Sequence, residues 1–426
     1  MDIPSLHQLF LQHPEVSTDS RNIPGNGIFF ALKGANFDGN QFAREALEKG
    51  VSFAVVDNPE VALDARFILV DDTLKTLQEL AAFHRAYCKT PILALTGSNG
   101  KTTTKELFAA VLQKRFNTLA TRGNLNNQIG VPLTLLKLQP EMEMAVIEMG
   151  ANHQGEIGFL CNLAQPDFGY ITNFGKAHLE GFGGVEGVIK GKSEMFNFLI
   201  TASKTIFWNA DDPIQQAKLE QYTNTYGFSQ QPGKTDQTIQ FLDADAYVRL
   251  QIGEVQINTQ LIGAYNFTNC AAAVLVGMYF GIAAEDIRMA LEAYVPNNNR
   301  SQLIQRGSRQ IILDAYNANP SSMTAALQHF QKLEATPKVA ILGDMFELGE
   351  EAAQEHLAVG RLAQSLGLSR LYLVGKNFLQ TNLMEANYPD LDSLKEELTI
   401  NPLPEGATIL IKGSRGMALE RVLDVL

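Results

Sequence analysis

Pro91-Ile-Leu-Ala-Leu-Thr-Gly-Ser-Asn-Gly-Lys-Thr-Thr-Thr-Lys105 is the stretch that decides the fold. An apolar run predicts a strand, a loop with two glycines follows, and apolar residues at helical spacing then predict a helix. This order, with Gly-Lys-Thr at the helix start, is typical of a phosphate-binding loop. The spacing is shorter than the usual pattern, because Leu95 stands where the first glycine is expected. A plain strand–turn–helix is the alternative, but the flanking strand and helix favour phosphate binding.

The composition of the whole chain narrows the class of protein. Its 426 residues predict two or three domains, and its net charge of −12 argues against a nucleic-acid or anionic-membrane partner. The cysteines at positions 88, 161 and 270 are scattered, so neither a disulfide framework nor a zinc site is predicted. Because no signal peptide or membrane-spanning run is evident, we expect a cytoplasmic protein without membrane insertion.

The alternation of strands and helices predicts three α/β domains. Residues 1–88 form a small N-terminal domain, residues 89–295 carry the phosphate loop, and residues 296–426 form a third domain. In the third domain the alternation implies a mostly parallel, right-handed sheet. Pro296-Asn-Asn-Asn299 is the predicted hinge before it.

Two polar clusters follow strands of the first domain. They are Ser17-Thr-Asp-Ser-Arg21 and Gly34-Ala-Asn-Phe-Asp-Gly39. Ligands of α/β folds bind at strand ends, which is the functional interpretation. Ordinary loops are the simpler interpretation, and the clusters alone do not argue against it.

Two side chains of the central domain are candidate metal ligands. Glu148 ends a predicted central strand, at the sheet edge that also carries the phosphate loop, where the metal of a nucleotide needs an oxygen ligand. The alternative is a solvent-facing strand end. His178 follows the next strand, and only its placement relative to Glu148 raises it above a structural histidine.

Lys192 lies on the apolar face of the predicted helix that begins at Val185, three or four residues from Val188, Ile189 and Phe196. A lysine directed at the core must snorkel, pair or change its chemistry, and snorkelling is the common outcome. Carbamylation by CO₂ is the alternative, since it converts the cation into a metal-binding carboxylate. A bare lysine ~4 Å from Mg²⁺ would be disfavoured by about 8 kcal/mol at an effective dielectric of 20.

Further polar groups precede a helix or follow strands. Asn266 and Asn269 precede and open an alanine-rich helix predicted over 271–281, where they can cap the helix or read a base or ribose. In the third domain, polar residues follow the predicted strands at Asp314-Ala-Tyr-Asn-Ala-Asn-Pro320, Gly343-Asp-Met-Phe-Glu-Leu-Gly349 and Lys412-Gly-Ser-Arg415.

Taken in order, these motifs resemble the Mur ligase family, the ATP-dependent amide-forming enzymes of peptidoglycan precursor synthesis. The resemblance covers nearly the whole chain, and it also includes Gly123-Asn-Leu-Asn-Asn-Gln-Ile-Gly130, Ile147-Glu-Met-Gly-Ala-Asn152 and Lys192-Ser-Glu194. It implies a P-loop ATP-binding parallel-sheet domain between a small N-terminal α/β domain and a C-terminal Rossmann-like domain. It also implies that ATP activates UDP-N-acetylmuramoyl-tripeptide as an acyl phosphate, which the amine of D-alanyl-D-alanine attacks.

The resemblance assigns a role to each candidate residue. Lys101, Glu148, His178 and Lys192 would be catalytic, and two Mg²⁺ ions would be held by Thr102, Glu148, His178 and carbamylated Lys192. ATP would contact Gly97, Ser98, Asn99, Gly100, Lys101, Thr102, Thr103, Asn266, Asn269, Arg300 and Asp314. The UDP moiety would contact Thr18, Asp19, Ser20, Arg21, Gly34 and Asp38. D-Alanyl-D-alanine would lie near Tyr316, Asn317, Asn319, Lys412, Ser414 and Arg415. A monomer is expected.

Three positions depart from the family pattern. Leu313 replaces a frequent acidic residue, Tyr265 replaces a frequent histidine, and Asn299 replaces the usual glycine before Arg300. These departures affect the nucleotide contacts rather than the reaction class. The alternatives are a family member that adds the third amino acid, a folylpolyglutamate synthase, and a non-enzymatic nucleotide-binding module.

Overall fold

The computed structural model describes residues 1–297, 299–383 and 386–426. Within these ranges the chain forms three main sheets with helices packed against them. We name the corresponding parts of the chain the N-terminal, central and C-terminal units. The three-domain α/β architecture is confirmed, whereas the boundaries at 88/89 and 295/296 stay predictions. Asn298 of the predicted hinge lies outside the described residues.

The N-terminal unit contains a four-stranded sheet in the described chain, in the order β1-β2-β5-β6, with all neighbours parallel. Its strands are β1 (Val16–Ser17), β2 (Ile28–Phe30), β3 (Lys33–Gly34), β4 (Phe37–Asp38), β5 (Phe53–Val56) and β6 (Phe67–Leu69), of which β3 and β4 form a separate hairpin. Its helices are α1 (Ile3–Gln12), α2 (Ala43–Glu48) and α3 (Thr73–Cys88), with 3₁₀ turns at Gly39–Phe42 and Pro59–Val61.

The central unit is built on a sheet of nine described strands in the order β15-β14-β13-β12-β11-β10-β7-β9-β8. The strands are β7 (Ile92–Thr96), β8 (Thr118–Ala120), β9 (Met144–Glu148), β10 (Phe168–Ile171), β11 (Thr205–Asn209), β12 (Thr225–Ser229), β13 (Gln237–Asp243), β14 (Arg249–Ile252) and β15 (Val255–Asn258). The helices are α4 (Lys101–Leu112), α5 (Gly130–Leu135), α6 (Glu156–Ala164), α7 (Leu179–Phe182), α8 (Val185–Thr201), α9 (Pro213–Leu219), α10 (Phe267–Tyr279) and α11 (Ala284–Ala293), with a 3₁₀ turn at Ala264–Asn266.

Strand β7 is buried along its whole length because both of its faces are covered. Ile92 and Ala94 join a buried cluster on one face of the sheet, and Leu93 and Leu95 join a second cluster with α4 and α10 on the other. Its parallel neighbours are β9 and β10, so the carboxyl ends of all three strands meet at one sheet edge. That edge carries the phosphate loop, Glu148 and the segment that leads to His178.

The C-terminal unit has six strands within the described residues, in the order β16-β17-β21-β18-β19-β20, and only the β16/β17 pair is antiparallel. The strands are β16 (Gln302–Arg306), β17 (Arg309–Asp314), β18 (Lys338–Gly343), β19 (Arg370–Val374), β20 (Ala386–Tyr388) and β21 (Thr408–Lys412). The helices are α12 (Pro320–Lys332), α13 (Ala352–Gln364), α14 (Lys376–Leu379) and α15 (Leu391–Ile400), with 3₁₀ turns at Gly349–Glu351, Arg415–Met417 and Leu419–Val425. The predicted mostly parallel sheet is therefore confirmed.

Strands β13, β14 and β15 were not predicted from the sequence, and they form an antiparallel extension at one side of the central sheet. The alanine-rich helix begins at Phe267 rather than at residue 271. Among the described residues, no helix combines the length and apolarity needed to cross a membrane.

Candidate active site

A cavity of about 1060 Å³ separates the carboxyl edge of the central sheet from the C-terminal unit. On the central side it is lined by the phosphate loop, the end of β9 and the segment after β10. On the opposite side it is lined by residues 300–325 and by Lys412 at the end of β21. We call these two sides the central wall and the C-terminal wall.

Two glycines allow the phosphate loop its shape. Gly97 and Gly100 have φ values of +143° and +79°. A Cβ atom on Gly97 would lie 2.0 Å from Thr172 Oγ1, and one on Gly100 would lie 2.5 Å from Asn269 Oδ1. Larger residues are thus excluded by both conformation and space.

The tip of the loop is held by the segment that follows β10. The backbone N–H of Asn99 donates to Asn173 Oδ1 at 3.0 Å, and Thr172 Oγ1 donates to the Asn99 carbonyl at 2.6 Å. Ser98 N–H donates to the Asn173 carbonyl at 3.0 Å. The shape of the loop is therefore supported by the protein's own hydrogen bonds.

Lys101 opens helix α4 and folds back over the loop. Its Nζ donates to the Gly97 carbonyl at 2.8 Å. Burial lowers the pKa of this lysine, which the charge of Glu148 partly opposes. A partly desolvated cation at a helix N-terminus is suited to binding a phosphate anion.

Glu148 is the most unusual side chain of the central wall. It is 1% exposed, and its Oε1 accepts from Asn126 Nδ2 at 2.8 Å and from Thr102 Oγ1 at 3.2 Å. Its Oε2 is equally buried but has no hydrogen-bond partner within the described chain. A buried carboxylate oxygen without a partner is disfavoured, so these residues fit a hard cation such as Mg²⁺.

His178 also lines the cavity, directly before helix α7. Its Nδ1 is in direct contact with the Glu347 carboxylate of the C-terminal unit, although the contact is not aligned as a hydrogen bond. This interaction with His178 holds the pKa of Glu347 below its usual value. In the described residues no three His, Cys, Asp or Glu side chains converge on one point, so the two-metal arrangement stays a prediction.

Lys192 lies on the apolar face of α8, as its helical position predicted, and its side chain is fully buried. Its Nζ donates to the Ala151 carbonyl at 3.2 Å and lies 4.8 Å from the centroid of the Phe182 ring. Snorkelling to solvent was therefore the wrong interpretation. Burial, followed by the nearby charge of Lys101, lowers the pKa of Lys192 well below its ordinary value. Lys192 lies behind the central wall and does not line the cavity.

Asn266 and Asn269 line the cavity, but neither caps helix α10. Asn266 Nδ2 donates to the Ile262 carbonyl at 2.8 Å, and its Oδ1 accepts from Asn269 Nδ2 at 2.8 Å. Asn269 Oδ1 accepts from Thr104 Oγ1 at 3.1 Å. Asn266 stands at the N-cap position of α10, but its side chain makes no capping hydrogen bond, and Asn269 lies within the helix. The capping interpretation was therefore wrong, because these two amides bond to each other instead. Nucleotide contact stays a prediction.

The C-terminal wall satisfies its own charges. Lys412 Nζ donates to Asp314 Oδ2 at 2.5 Å, and the Arg300 guanidinium lies 3.4 Å from the centroid of the Tyr316 ring. Asn319 Nδ2 donates across the cavity to Asn99 Oδ1 at 2.7 Å. The predicted residues Arg300, Asp314, Tyr316, Asn317, Asn319 and Lys412 all line the cavity.

The remaining predicted residues of the C-terminal unit, Ser414 and Arg415, do not line the cavity. Ser414 does not line the cavity, and its Oγ accepts from Phe346 N–H at 2.9 Å. Arg415 is paired with Glu420 at 2.7 Å and lies 5.9 Å from the Tyr316 ring centroid. The structure therefore brings only part of the predicted D-alanyl-D-alanine group to the cavity.

Two of the three departures from the family pattern lie at this junction. Asn299 has a φ of +56°, a left-handed conformation that glycine adopts freely and that asparagine tolerates better than most residues. Tyr265 donates to or accepts from Ser301 Oγ at 2.9 Å, which ties the turn before α10 to the start of the C-terminal unit. The third, Leu313, is buried in β17.

The two polar clusters of the N-terminal unit do not line this cavity. The Asp19 carboxylate binds the Arg21 guanidinium at 2.9 Å, and this hydrogen bond lowers the Asp19 pKa to about 2. Asp38 accepts from Asn40 N–H at 2.9 Å. Each cluster thus has local partners, and UDP binding by Thr18, Asp19, Ser20, Arg21, Gly34 and Asp38 stays a prediction.

Sequence reasoning missed several residues that shape the site. Asn126 holds Glu148, Thr172 and Asn173 hold the phosphate loop, and Glu347 contacts His178. Asn126 lies in the motif over 123–130 and Glu347 in the motif over 343–349. Membership of these motifs was the sequence signal that could have identified both residues. Their partners could not be named, because each contact joins segments far apart in the chain.

Three features define the class of protein: a phosphate loop, a buried strand-end carboxylate with an open oxygen, and a facing α/β unit. Together they are typical of an enzyme that uses a nucleotide to transfer a group. Sequence models of the Mur ligase family catalytic domain, the Mur ligase middle domain and the Mur ligase glutamate ligase domain match residues 14–85, 95–277 and 299–415, respectively. UDP-N-acetylmuramoyl-tripeptide–D-alanyl-D-alanine ligases of Escherichia coli and Bacillus subtilis are 37% and 35% identical to this chain. The alignments cover 96% of this chain in both cases and 93% and 92% of those proteins.

Solved structures agree with this match. A crystal structure of MurF from Acinetobacter baumannii has a TM-score of 0.85 at 33% identity, covering 96% of this chain and 92% of that one. MurF ligase from Thermotoga maritima in complex with ADP has a TM-score of 0.85 at 26% identity, covering 98% and 97%. The chain belongs to the Mur ligase family, whose members use ATP.

Proposed function

We propose that this chain joins D-alanyl-D-alanine to UDP-N-acetylmuramoyl-tripeptide, with ATP as the energy source, to give the pentapeptide precursor of peptidoglycan. The observation that carries this proposal is the buried Glu148 with its open oxygen, beside Lys101 on the phosphate loop and facing the C-terminal wall. Support for the choice of substrates comes from relatives of that name, which are matched over more than nine-tenths of their length. Because ATP and a UDP-linked substrate are needed, we place the reaction in the cytoplasm.

The reaction proceeds in two steps through an acyl phosphate. An oxygen of the tripeptide C-terminal carboxylate forms a bond to the γ-phosphorus of ATP, the bond from that phosphorus to its bridging oxygen breaks, and ADP leaves. The amine of D-alanyl-D-alanine then attacks the carbonyl carbon, the tetrahedral intermediate expels phosphate, and the amine nitrogen loses a proton. Lys101 neutralises charge on the transferred phosphoryl group, and the two walls exclude water from the acyl phosphate.

The metal ligands assigned here are Thr102 and Glu148 for one Mg²⁺ ion, and Glu148, His178 and carbamylated Lys192 for a second. When bound, Mg²⁺ neutralises the repulsion between the phosphates and the incoming carboxylate. The chain's own contribution is to hold Glu148 rigidly, through Asn126 and Thr102, with one oxygen left open.

Carbamylation of Lys192 is supported by its complete burial and by its Nζ, which donates to the Ala151 carbonyl and has no carboxylate partner in the described chain. The amine nitrogen would bond to the carbon of CO₂ and release one proton, which leaves an anionic carbamate. Labelling with ¹³CO₂ should give one carbamate carbon resonance in the protein, and the resonance should be missing from Lys192→Met. The same resonance in both proteins would refute this assignment.

We propose the substrate contacts that the family resemblance implies. Phosphate contacts are assigned to Gly97, Ser98, Asn99, Gly100, Lys101, Thr102 and Thr103. The remainder of the nucleotide is assigned to Asn266, Asn269, Arg300 and Asp314, and D-alanyl-D-alanine to Tyr316, Asn317, Asn319, Lys412, Ser414 and Arg415. The UDP moiety is assigned to the domain over 1–88, which precedes the domains over 89–295 and 296–426.

Phosphate release tests the function directly. The protein is incubated with ATP, Mg²⁺ and UDP-N-acetylmuramoyl-tripeptide whose third residue is lysine or diaminopimelate, and D-alanyl-D-alanine is compared with single amino acids. We expect phosphate release and a pentapeptide product only with the dipeptide. Release with single amino acids alone would assign the chain to a different addition step.

A further inference from the structure

Two motifs from different units meet beside the central wall. Residues 175–181 follow β10, residues 343–349 follow β18, and His178 contacts Glu347 where they meet. The backbone N–H of Glu180 also donates to the Glu347 carbonyl at 3.2 Å. We call His178, Glu180 and Glu347 the clasp. The motif over 343–349 was singled out in the sequence but had no role in the proposed reaction.

The backbone of the clasp is held in an uncommon conformation on both sides. His178 has a φ of +53° and Glu347 a φ of +62°, in the left-handed region that residues with a Cβ seldom adopt. Such residues persist where their surroundings demand the conformation, and they concentrate at functional sites. Two of them in direct contact indicate that the position of each side chain matters.

The two ring nitrogens of His178 have different surroundings. Nδ1 faces the Glu347 carboxylate, whereas Nε2 makes no hydrogen bond to any described residue. The side chain lines the same cavity as Glu148 with its open oxygen. A carboxylate at one ring nitrogen is the usual way in which proteins orient a histidine that binds metal through the other.

We propose that Glu347 is a positioning residue for the metal site, acting through His178, so that docking of the C-terminal unit completes the site on the central wall. This inference rests on the proposed function, in which His178 is a metal ligand. Glu148 and His178 belong to the central unit, but the carboxylate that orients His178 comes from the C-terminal unit. Metal binding therefore strengthens docking to the same extent that docking strengthens metal binding.

The variants that test this are Glu347→Ala and Glu347→Gln, with Glu350→Ala as the matched control. Glu350 lies three residues away and is exposed, so its removal makes the same change in net charge without touching the clasp. Gln keeps an oxygen that can accept from Nδ1, whereas Ala keeps none. Because Glu347 is half exposed, all three proteins should fold, and thermal unfolding checks this.

The main readout is Mn²⁺ binding to the full-length protein in the presence of ADP, followed by electron paramagnetic resonance. We expect Glu347→Ala to weaken Mn²⁺ binding roughly 10- to 100-fold, Glu347→Gln to restore part of that loss, and Glu350→Ala to match the unmodified protein. Equal Mn²⁺ affinity in Glu347→Ala and Glu350→Ala would overturn the proposal and leave Glu347 as an ordinary contact between units.

A kinetic split separates this inference from the proposed function. Glu347→Ala should raise the Mg²⁺ concentration needed for half-maximal rate while the KM for D-alanyl-D-alanine stays unchanged. A general loosening of the structure would raise both and would contradict a positioning role. If the unmodified protein released no phosphate with D-alanyl-D-alanine, the proposed function would fail, but the Mn²⁺ comparison would still decide the role of Glu347.

Discussion

The two walls of the cavity differ in whether their charged groups have partners within the protein. On the central wall, Glu148 keeps one buried oxygen without a partner in the described chain, and Lys101 bonds only to carbonyls of its own loop. On the C-terminal wall, Lys412 is paired with Asp314 and the Arg300 guanidinium covers the Tyr316 ring. The central wall thus has charged groups that are free to bind a ligand, whereas the charged groups of the C-terminal wall are already paired with each other or with an aromatic ring.

The difference indicates a division of labour. Groups that await a ligand are pre-organised for charge stabilisation, which acts on the chemical step. Groups that are already paired stabilise the fold and keep this wall in shape for substrate binding. Changes in the central wall should therefore affect kcat, and changes in the C-terminal wall should affect stability and KM.

Glu148→Gln should have the largest effect. The amide keeps the shape and can still accept from Asn126 and Thr102, but it removes the charge, so kcat should fall roughly 10²- to 10³-fold. Thermal stability should be unchanged or higher, because a buried charge without full compensation is gone. A marked loss of stability with normal kcat would mean that Glu148 stabilises the fold, as the paired groups of the C-terminal wall do.

Lys412→Met should have the next largest effect, on stability. It leaves the Asp314 carboxylate, whose side chain is 15% exposed, without its cation, and should lower the free energy of unfolding by about 3 kcal/mol. Urea denaturation measures this. The double variant Lys412→Met/Asp314→Asn removes the stranded charge and should recover part of the loss. Full stability in the single variant would contradict the idea that pairing within the C-terminal wall stabilises the fold.

Asn126→Ala should have an intermediate effect on catalysis. The change removes the 2.8 Å hydrogen bond that orients Glu148 but leaves its charge, so kcat should fall roughly 10- to 100-fold. Asn127→Ala serves as the control, since its side chain bonds to backbone N–H groups of residues 129 and 130 instead. Equal kcat in both variants would show that Glu148 needs no support from this loop.

Arg300→Lys should have the smallest effect. Lysine keeps the charge but loses the planar stack on Tyr316, which is worth about 1 kcal/mol, so the KM of a substrate bound at this wall should rise roughly fivefold with kcat unchanged. Steady-state kinetics with ATP and D-alanyl-D-alanine varied in turn identifies that substrate. A fall in kcat alone would mean that Arg300 acts on the chemical step, as we expect of the groups of the central wall.

Local patterns predicted much of the fold. Apolar runs bounded by glycine or polar residues predicted β7, β9, β18 and β21, because parallel strands covered on both faces are continuously apolar. Strands β13 to β15 escaped prediction because they mix polar and apolar residues at one side of the sheet, as in Gln237–Asp243. Such a strand is stabilised by its neighbours more than by its own pattern.

The sequence by itself determined the phosphate loop, the strand-end position of Glu148 and the position of Lys192 on the apolar face of its helix. Each depends on residues within one turn of helix or one strand, where spacing dictates direction. Only the tertiary structure decided which oxygen of Glu148 stays open, that Asn266 bonds to Asn269 rather than capping a helix, and that Glu347 meets His178. The contacts of Glu148 and of Glu347 depend on how separate elements pack, and the Asn266–Asn269 pair depends on where helix α10 begins. Neither kind of contact leaves a periodic trace in the sequence.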